Sequence, residues 1–166
     1  MQVLQIERVQ AGPGLDTDYI VLVRADRRFD YFAGSRWADS TPQLIEALLV
    51  DTLRDSGRFR AVFGNTAAFP PDYSLSATVR RFEADYAAGE EAPTVHVVFD
   101  VSLGRRKDGA LLAAFSAAAR TTARENRMTA VVAAFEAATQ TALADVSQRV
   151  LATLQNVDSP EASISR

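Results

Sequence analysis

The sequence predicts an α+β fold: an antiparallel β-sheet with two amphipathic helices packed on one face. Two runs, Tyr73 to Arg80 and Thr94 to Leu103, alternate apolar and polar side chains, the period of a half-buried strand. Two other segments, starting near Thr41 and Thr129, repeat apolar residues at spacings of three and four, the period of a helix. Short turns between the long strands favour antiparallel neighbours, and each strand needs its apolar face covered. Apolar burial is worth roughly 25 cal/mol per Å², so losing either helix would leave the sheet without its core.

The elements follow in order. Val3, Ile6 and Val9 lie in a first strand, which Gly12-Pro13-Gly14 ends, because glycine and proline punctuate both helix and sheet. Tyr19 to Arg24 is rich in β-branched residues. The turn Asp26-Arg27-Arg28 then leads to a third strand, Phe29 to Phe32, close enough to form a hairpin with it. Gly34 breaks that strand. A helix starts near Thr41, with Pro42 at its first position, and Ser40 with Gln43 forms an alternative capping box. Leu44, Ile45, Leu48, Leu49, Thr52 and Leu53 form its stripe, and Gly57 ends it with a left-handed residue.

Phe59 to Phe63 is a short extended segment. In the strand beginning at Tyr73 the alternation changes phase at Arg81 and Phe82, the mark of a bulge. Leu111 to Thr122 has the alanine content of a helix, but Lys107-Asp108-Gly109 before it is a hairpin turn, and the segment reads as a strand. Val131, Val132, Phe135, Leu143, Val146, Val150 and Leu154 line a second helix that ends near Gln155. Residues 1–155 make one domain, and the polar residues 156–166 are expected to be a disordered tail.

Composition excludes several classes of function. The formal net charge is -3, which provides no cationic field for nucleic acid. There is no cysteine, hence no disulfide, thiolate metal site or cysteine nucleophile. Met1 to Glu7 does not have the pattern of a signal peptide.

Chemical motifs are sparse. His96 is the single histidine, so every histidine-dependent mechanism would have to pass through it. Asp16, Asp18, Asp26 and Asp30 lack the spacing of a calcium loop and read as turn and edge charges. Glu83 and Asp85 share a strand face and read as a solvent-facing pair. Gly12-Pro13-Gly14 lacks the lysine of a phosphate loop, and no serine sits in a nucleophile elbow. No catalytic, metal or cofactor site is expected, and the chain reads as a non-enzyme. The aromatic corner stands apart: Tyr31, Phe32, Arg36 and Trp37 are candidates for partner binding, since these residue types concentrate at hot spots. They equally suit a local core in which Trp37 covers the first turn of the helix.

An ordered series of motifs carries a resemblance. Tyr31-Phe32-Ala33-Gly34-Ser35-Arg36-Trp37-Ala38-Asp39 is followed by Pro42 and the leucine-rich helix, then Leu53 to Val62, Asp72 to Leu75, Arg81 to Asp85, and Val131 to Phe135. Together these resemble the auxiliary lipoprotein family of bacterial ABC-type transporters, over about Val3 to Leu154. The resemblance implies a non-enzymatic adapter in the periplasm, tethered to the outer membrane by an N-terminal lipid. It also implies an MCE-domain protein of a lipid transport system as partner, with lipid nearby. Family members carry a signal peptide ending in a lipidated cysteine, absent from these residues, so the expectation is a soluble piece with an added Met1. The alternative function is a lipid-binding carrier, with an apolar groove between sheet and helices beside Ala113 to Ala119.

Overall fold

One long strand organises the sheet. The computed structural model describes residues 1–66, 68–86 and 91–159. Its elements run β1 (Val3–Ile6), β2 (Gln10–Ala11), β3 (Tyr19–Val23), β4 (Phe29–Arg36), α1 (Thr41–Asp55), β5 (Ala61–Phe63), β6 (Tyr73–Asp85), β7 (Thr94–Arg105), β8 (Leu111–Thr122) and α2 (Met128–Asp158). Strand β6 is 13 residues long, about 40 Å of extended chain. One edge pairs antiparallel with β7, from Tyr73 opposite Arg105 to Asp85 opposite Thr94. β7 in turn pairs antiparallel with β8. Along the other edge of β6 three short strands follow one another, all parallel to it: β1 beside Tyr73, β2 beside Thr78 and β3 beside Ala84. β5 adds parallel outside β1, and β4 adds antiparallel outside β3.

The sheet is therefore mixed, which corrects the antiparallel sheet expected from sequence. Short turns do produce antiparallel pairs, as in β3–β4, β6–β7 and β7–β8. β1 has no such neighbour, because its partners β5 and β6 come only after α1. Parallel strands need a long crossover, commonly a helix, and α1 lies within the one joining β1 to β5. The expected first strand also divides. Val9 is buried but leaves the ladder, and its N–H turns to the Glu46 carboxylate at 3.3 Å.

Two irregularities set which side chains face where. The β6–β7 register shifts between Val79 and Arg81, as the phase change predicts. Before the shift Tyr73, Leu75, Ala77 and Val79 are buried; after it Phe82 and Ala84 take over the core face, and Arg81, Glu83 and Asp85 move to the other. Gly34 does not end β4, which continues to Arg36. It bulges the strand instead: Val21 faces Tyr31 while Tyr19 faces Arg36, and Gly34 absorbs the extra length at φ 75°.

Both helices cover one face, as expected. Ile45, Leu49 and Leu53 of α1 are buried, as are Val131, Phe135, Val146, Val150 and Leu154 of α2. Ala138 and Ala142 are fully buried, so α2 approaches β7 and β8 closely. Pro42 stands in the first turn of α1, and Gly57 follows its end at φ 68°. Ser40 occupies the cap position, but its hydroxyl meets the Gln43 side chain rather than a helix N–H. The start of α1 is instead pinned by Thr41, whose N–H donates to the Thr17 carbonyl at 2.9 Å. α2 extends to Asp158, so residues 156–158 of the expected tail are helical, and the tail from residue 160 lies outside the described residues. No described helix is long and apolar enough to cross a membrane.

Candidate functional site

Hairpin β3–β4 exposes three aromatic rings: Tyr19 at 36%, Phe29 at 58% and Tyr31 at 47%. The rings of Tyr19 and Tyr31 lie 4.7 Å apart, and the Arg36 guanidinium carbon sits 4.4 Å from the Tyr19 ring centre. Arg36 Nη2 also donates to the Tyr19 hydroxyl at 2.9 Å, and Asp18 stands 3.6 Å from Nη1. Buried Val21 and Val23, opposite Tyr31 and Phe29, form the base of the hairpin. Stacked aromatics with an arginine laid over them offer large apolar area and a cation on a prepositioned frame.

The four candidate residues of the corner divide into two groups. Tyr31 and Arg36 point outward into this patch. Phe32 and Trp37 pack against the core, Phe32 beside Tyr86 and Trp37 between Phe82 and Phe135 at 5.7 and 5.1 Å. The Trp37 indole N–H is buried and makes no hydrogen bond. Tyr19 and Phe29 complete the patch and were not among the candidates. Tyr19 meets Arg36 only across the bulged register, which spacing along the chain does not reveal, although its place in the second strand was legible.

Beneath the hairpin lies an ionic cluster. Glu83 and Asp85 share a strand face, yet they are buried rather than solvent-facing, at 4% and 7% exposure. Arg81 Nε donates to Glu83 at 2.6 Å, and Arg81 Nη2 is 3.6 Å from Asp85. Arg27, in the β3–β4 turn at φ 69°, reaches Asp85 Oδ2 at 3.4 Å, and His96 Nε2 approaches the same oxygen at 3.8 Å. Asp85 Oδ1 is buried without a partner. The cluster thus ties the hairpin turn to β6 and β7. The four N-terminal aspartates do not converge: Asp18 pairs with Arg36, Asp26 with Arg28 and Asp30 with Arg24. Among the described residues no group of three or more His, Asp or Glu side chains is placed to hold a metal ion.

Burial first, and then Arg81, push the His96 pKa below its ordinary 6.5, against the opposing pull of Asp85 and Glu83. Arg120, opposite His96 on β8, adds to the lowering. The unfolded chain therefore binds this proton more readily than the folded one. Stability associated with His96 is complete above pH 6.5 and is lost as the pH falls below it toward the folded value. Urea midpoints at about pH 7.5 and about pH 5.5 test this, and a His96→Gln variant should show a smaller acid-induced loss. Equal losses in both proteins would show that His96 does not contribute.

The interface between sheet and helices is filled rather than grooved. Ala117 is fully buried opposite Phe99 on β7, α2 packs on β7 and β8, and Phe99, Phe135 and Val146 are each at most 1% exposed. A cleft of about 990 Å³ opens between α1 and the segments around Gln10 and Asn65. Glu46 spans its wall, accepting the N–H groups of Val9 and Asn65. Its lining of Arg8, Gln10, Asp16, Gln43, Glu46 and Asp51 does not suit an acyl chain.

Comparison with solved structures places this architecture among known folds. A crystal structure of a protein from Xanthomonas campestris is similar at 25% identity and a TM-score of 0.87, covering 95% of this chain and 87% of that one. An uncharacterised protein is similar at 18% identity and a TM-score of 0.70, covering 90% and 92%. A hypothetical protein from Chlamydia trachomatis shares the fold at 8% identity and a TM-score of 0.55, covering 88% and 95%. Among curated proteins no sequence matches. The family model of the ABC-type transport auxiliary lipoprotein component matches residues 1–147. The chain therefore belongs to the ABC-type transport auxiliary lipoprotein family, whose members are typically periplasmic and anchored to the outer membrane.

Proposed function

We propose that this chain is the adapter of an ABC transport system of the MCE type that moves lipid between membranes, and that it holds an MCE-domain protein through the aromatic face of hairpin β3–β4. The observation that carries this reading is the exposed stack of Tyr31, Tyr19 and Arg36 on a base of buried valines and ion pairs. Rigid aromatic and arginine side chains lose little conformational freedom when a partner covers them, so most of their buried area contributes to affinity. Phe32 and Trp37 act from behind, by fixing the strand that presents the patch. The filled interface between sheet and helices favours an assembly role over a lipid carrier.

Copurification of the full-length lipoprotein with its MCE-domain partner after mild detergent extraction tests the reading. Tyr31→Ala and Arg36→Glu should each weaken the association by about tenfold or more, the range of a hot-spot truncation. Their urea midpoints should stay close to that of the parent. Full retention of the partner by both variants would remove the hairpin from the interface, and absence of association in the parent would remove the adapter role itself.

A further inference from the structure

The end of the sheet farthest along β6 from the aromatic hairpin has a different character. Three segments are laced there around residues 2 and 3 by backbone hydrogen bonds. Arg60 N–H donates to the Gln2 carbonyl at 2.9 Å, Asp72 N–H to the Val3 carbonyl at 2.8 Å, and Arg106 N–H to the Asp72 carbonyl at 2.9 Å. This places the α1–β5 loop, the β5–β6 loop and the β7–β8 turn side by side. Phe69 and Leu111, on or next to these segments, are exposed at 64% and 67%. Phe69 rests against Phe63 at 6.0 Å, and Leu111 faces Gly104 at the start of β8.

The charges at this end are mostly positive. Arg58 is paired with Asp158, and Arg105 with Asp108. The Asp72 carboxylate is taken by the Val3 N–H at 2.7 Å. Arg60, Arg106 and Lys107 have no acidic partner among the described residues, while the chain as a whole carries -3. Arg106 and Lys107 also border a cleft of about 550 Å³ floored by Pro70, Pro71 and Tyr73.

We infer that this end is a membrane-contact surface, seating the domain on an anionic phospholipid bilayer with Phe69 and Leu111 at the headgroup level and Arg60, Arg106 and Lys107 on phosphates. Charge complementarity selects the occupant. Each cation near an anionic leaflet strengthens attachment about fivefold, and neighbouring apolar side chains add hydrophobic contact that a protein-free aqueous boundary would not reward. The chain enters the fold at the same end, at Val3, where a lipoprotein's N-terminal tether would hold the domain against the bilayer. The length of β6 then sets the β3–β4 turn about 40 Å from the Tyr73 end of the strand. The inference rests on family membership and on this surface, and it stands or falls separately from the choice of partner.

The absence of cysteine allows clean single labelling. Phe69→Cys, Leu111→Cys and, at the far end, Ala33→Cys would each carry an environment-sensitive fluorophore. The chains would be held by an N-terminal histidine tag on vesicles of phosphatidylcholine containing nickel-chelating lipid, with or without one quarter phosphatidylglycerol. Positions 69 and 111 should brighten and shift to the blue on the phosphatidylglycerol vesicles, position 33 should not, and about 1 M salt should reverse the change by screening. Arg60→Glu, Arg106→Glu and Lys107→Glu together should abolish it, and Arg106→Lys should preserve it. No response at 69 and 111, an equal response at 33, or an equal response on pure phosphatidylcholine would each overturn the assignment.

Discussion

Phe135→Ala should lower the stability of the domain by about 3–5 kcal/mol, the range for removing a large aromatic side chain from a core. The side chain is 1% exposed and sits where helix and sheet meet. Its ring lies 5.0 Å from Phe82 and 5.1 Å from Trp37, so truncation removes two aromatic pairs, each worth about 0.5–1.5 kcal/mol beyond area. The surrounding backbone cannot close the gap easily, because Phe82 follows the bulge in β6 and Trp37 joins β4 to α1. Trp37 is the single tryptophan, so its emission reports the same change. Urea unfolding followed by fluorescence should show a lower midpoint and a native spectrum shifted to the red. Phe135→Leu, which keeps most of the volume, should recover much of the loss. A change below about 1 kcal/mol for Phe135→Ala would mean that the three-ring cluster is not part of the folding core.

Arg81→Met should cost toward the lower end of roughly 3–5 kcal/mol, the penalty for leaving a buried charge without its partner. Arg81 is itself part exposed, at 37% of its side chain, which softens the loss. Glu83 and Asp85 are not exposed, and Arg81 is the cation that touches both. Its removal leaves Glu83 with the Phe82 N–H and Asp85 with Arg27 and the near approach of His96. Replacing the carboxylates as well separates the two causes. The triple change Arg81→Met, Glu83→Gln and Asp85→Asn should recover part of the stability, since the desolvated charges are then gone. If the single variant matched the parent in urea, the cluster would be solvated in solution.

Much of this fold is written in local patterns. The helical stripe of Ile45, Leu49 and Leu53, the turn at Asp108-Gly109 and the phase change at Arg81 each follow from spacing or turn chemistry within a few residues. Leu111 to Thr122 is a strand despite its alanines, because β7 pairs with it along its length and α2 needs its small side chains. The outward turn of Tyr31 and the inward turn of Phe32 also follow from alternation in β4. Tyr19, by contrast, joins Arg36 through a bulge that sets four residues of β4, Phe32 to Ser35, against the single Ile20 of β3, which no periodicity announces.

By itself the sequence determined two helices on one face, the position of nearly every strand, the absence of cysteine chemistry and the family. Those features depend on residue type and short-range order. Strand direction did not: β1, β2 and β3 take their places along β6 only because α1 carries the chain across and β6 is long enough to hold all three. The burial of Asp85 was equally invisible, because its partners Arg27 and His96 stand on another strand turn and on β7. Contacts between distant segments are settled when the chain closes on itself, and only the assembled sheet brings their partners within reach.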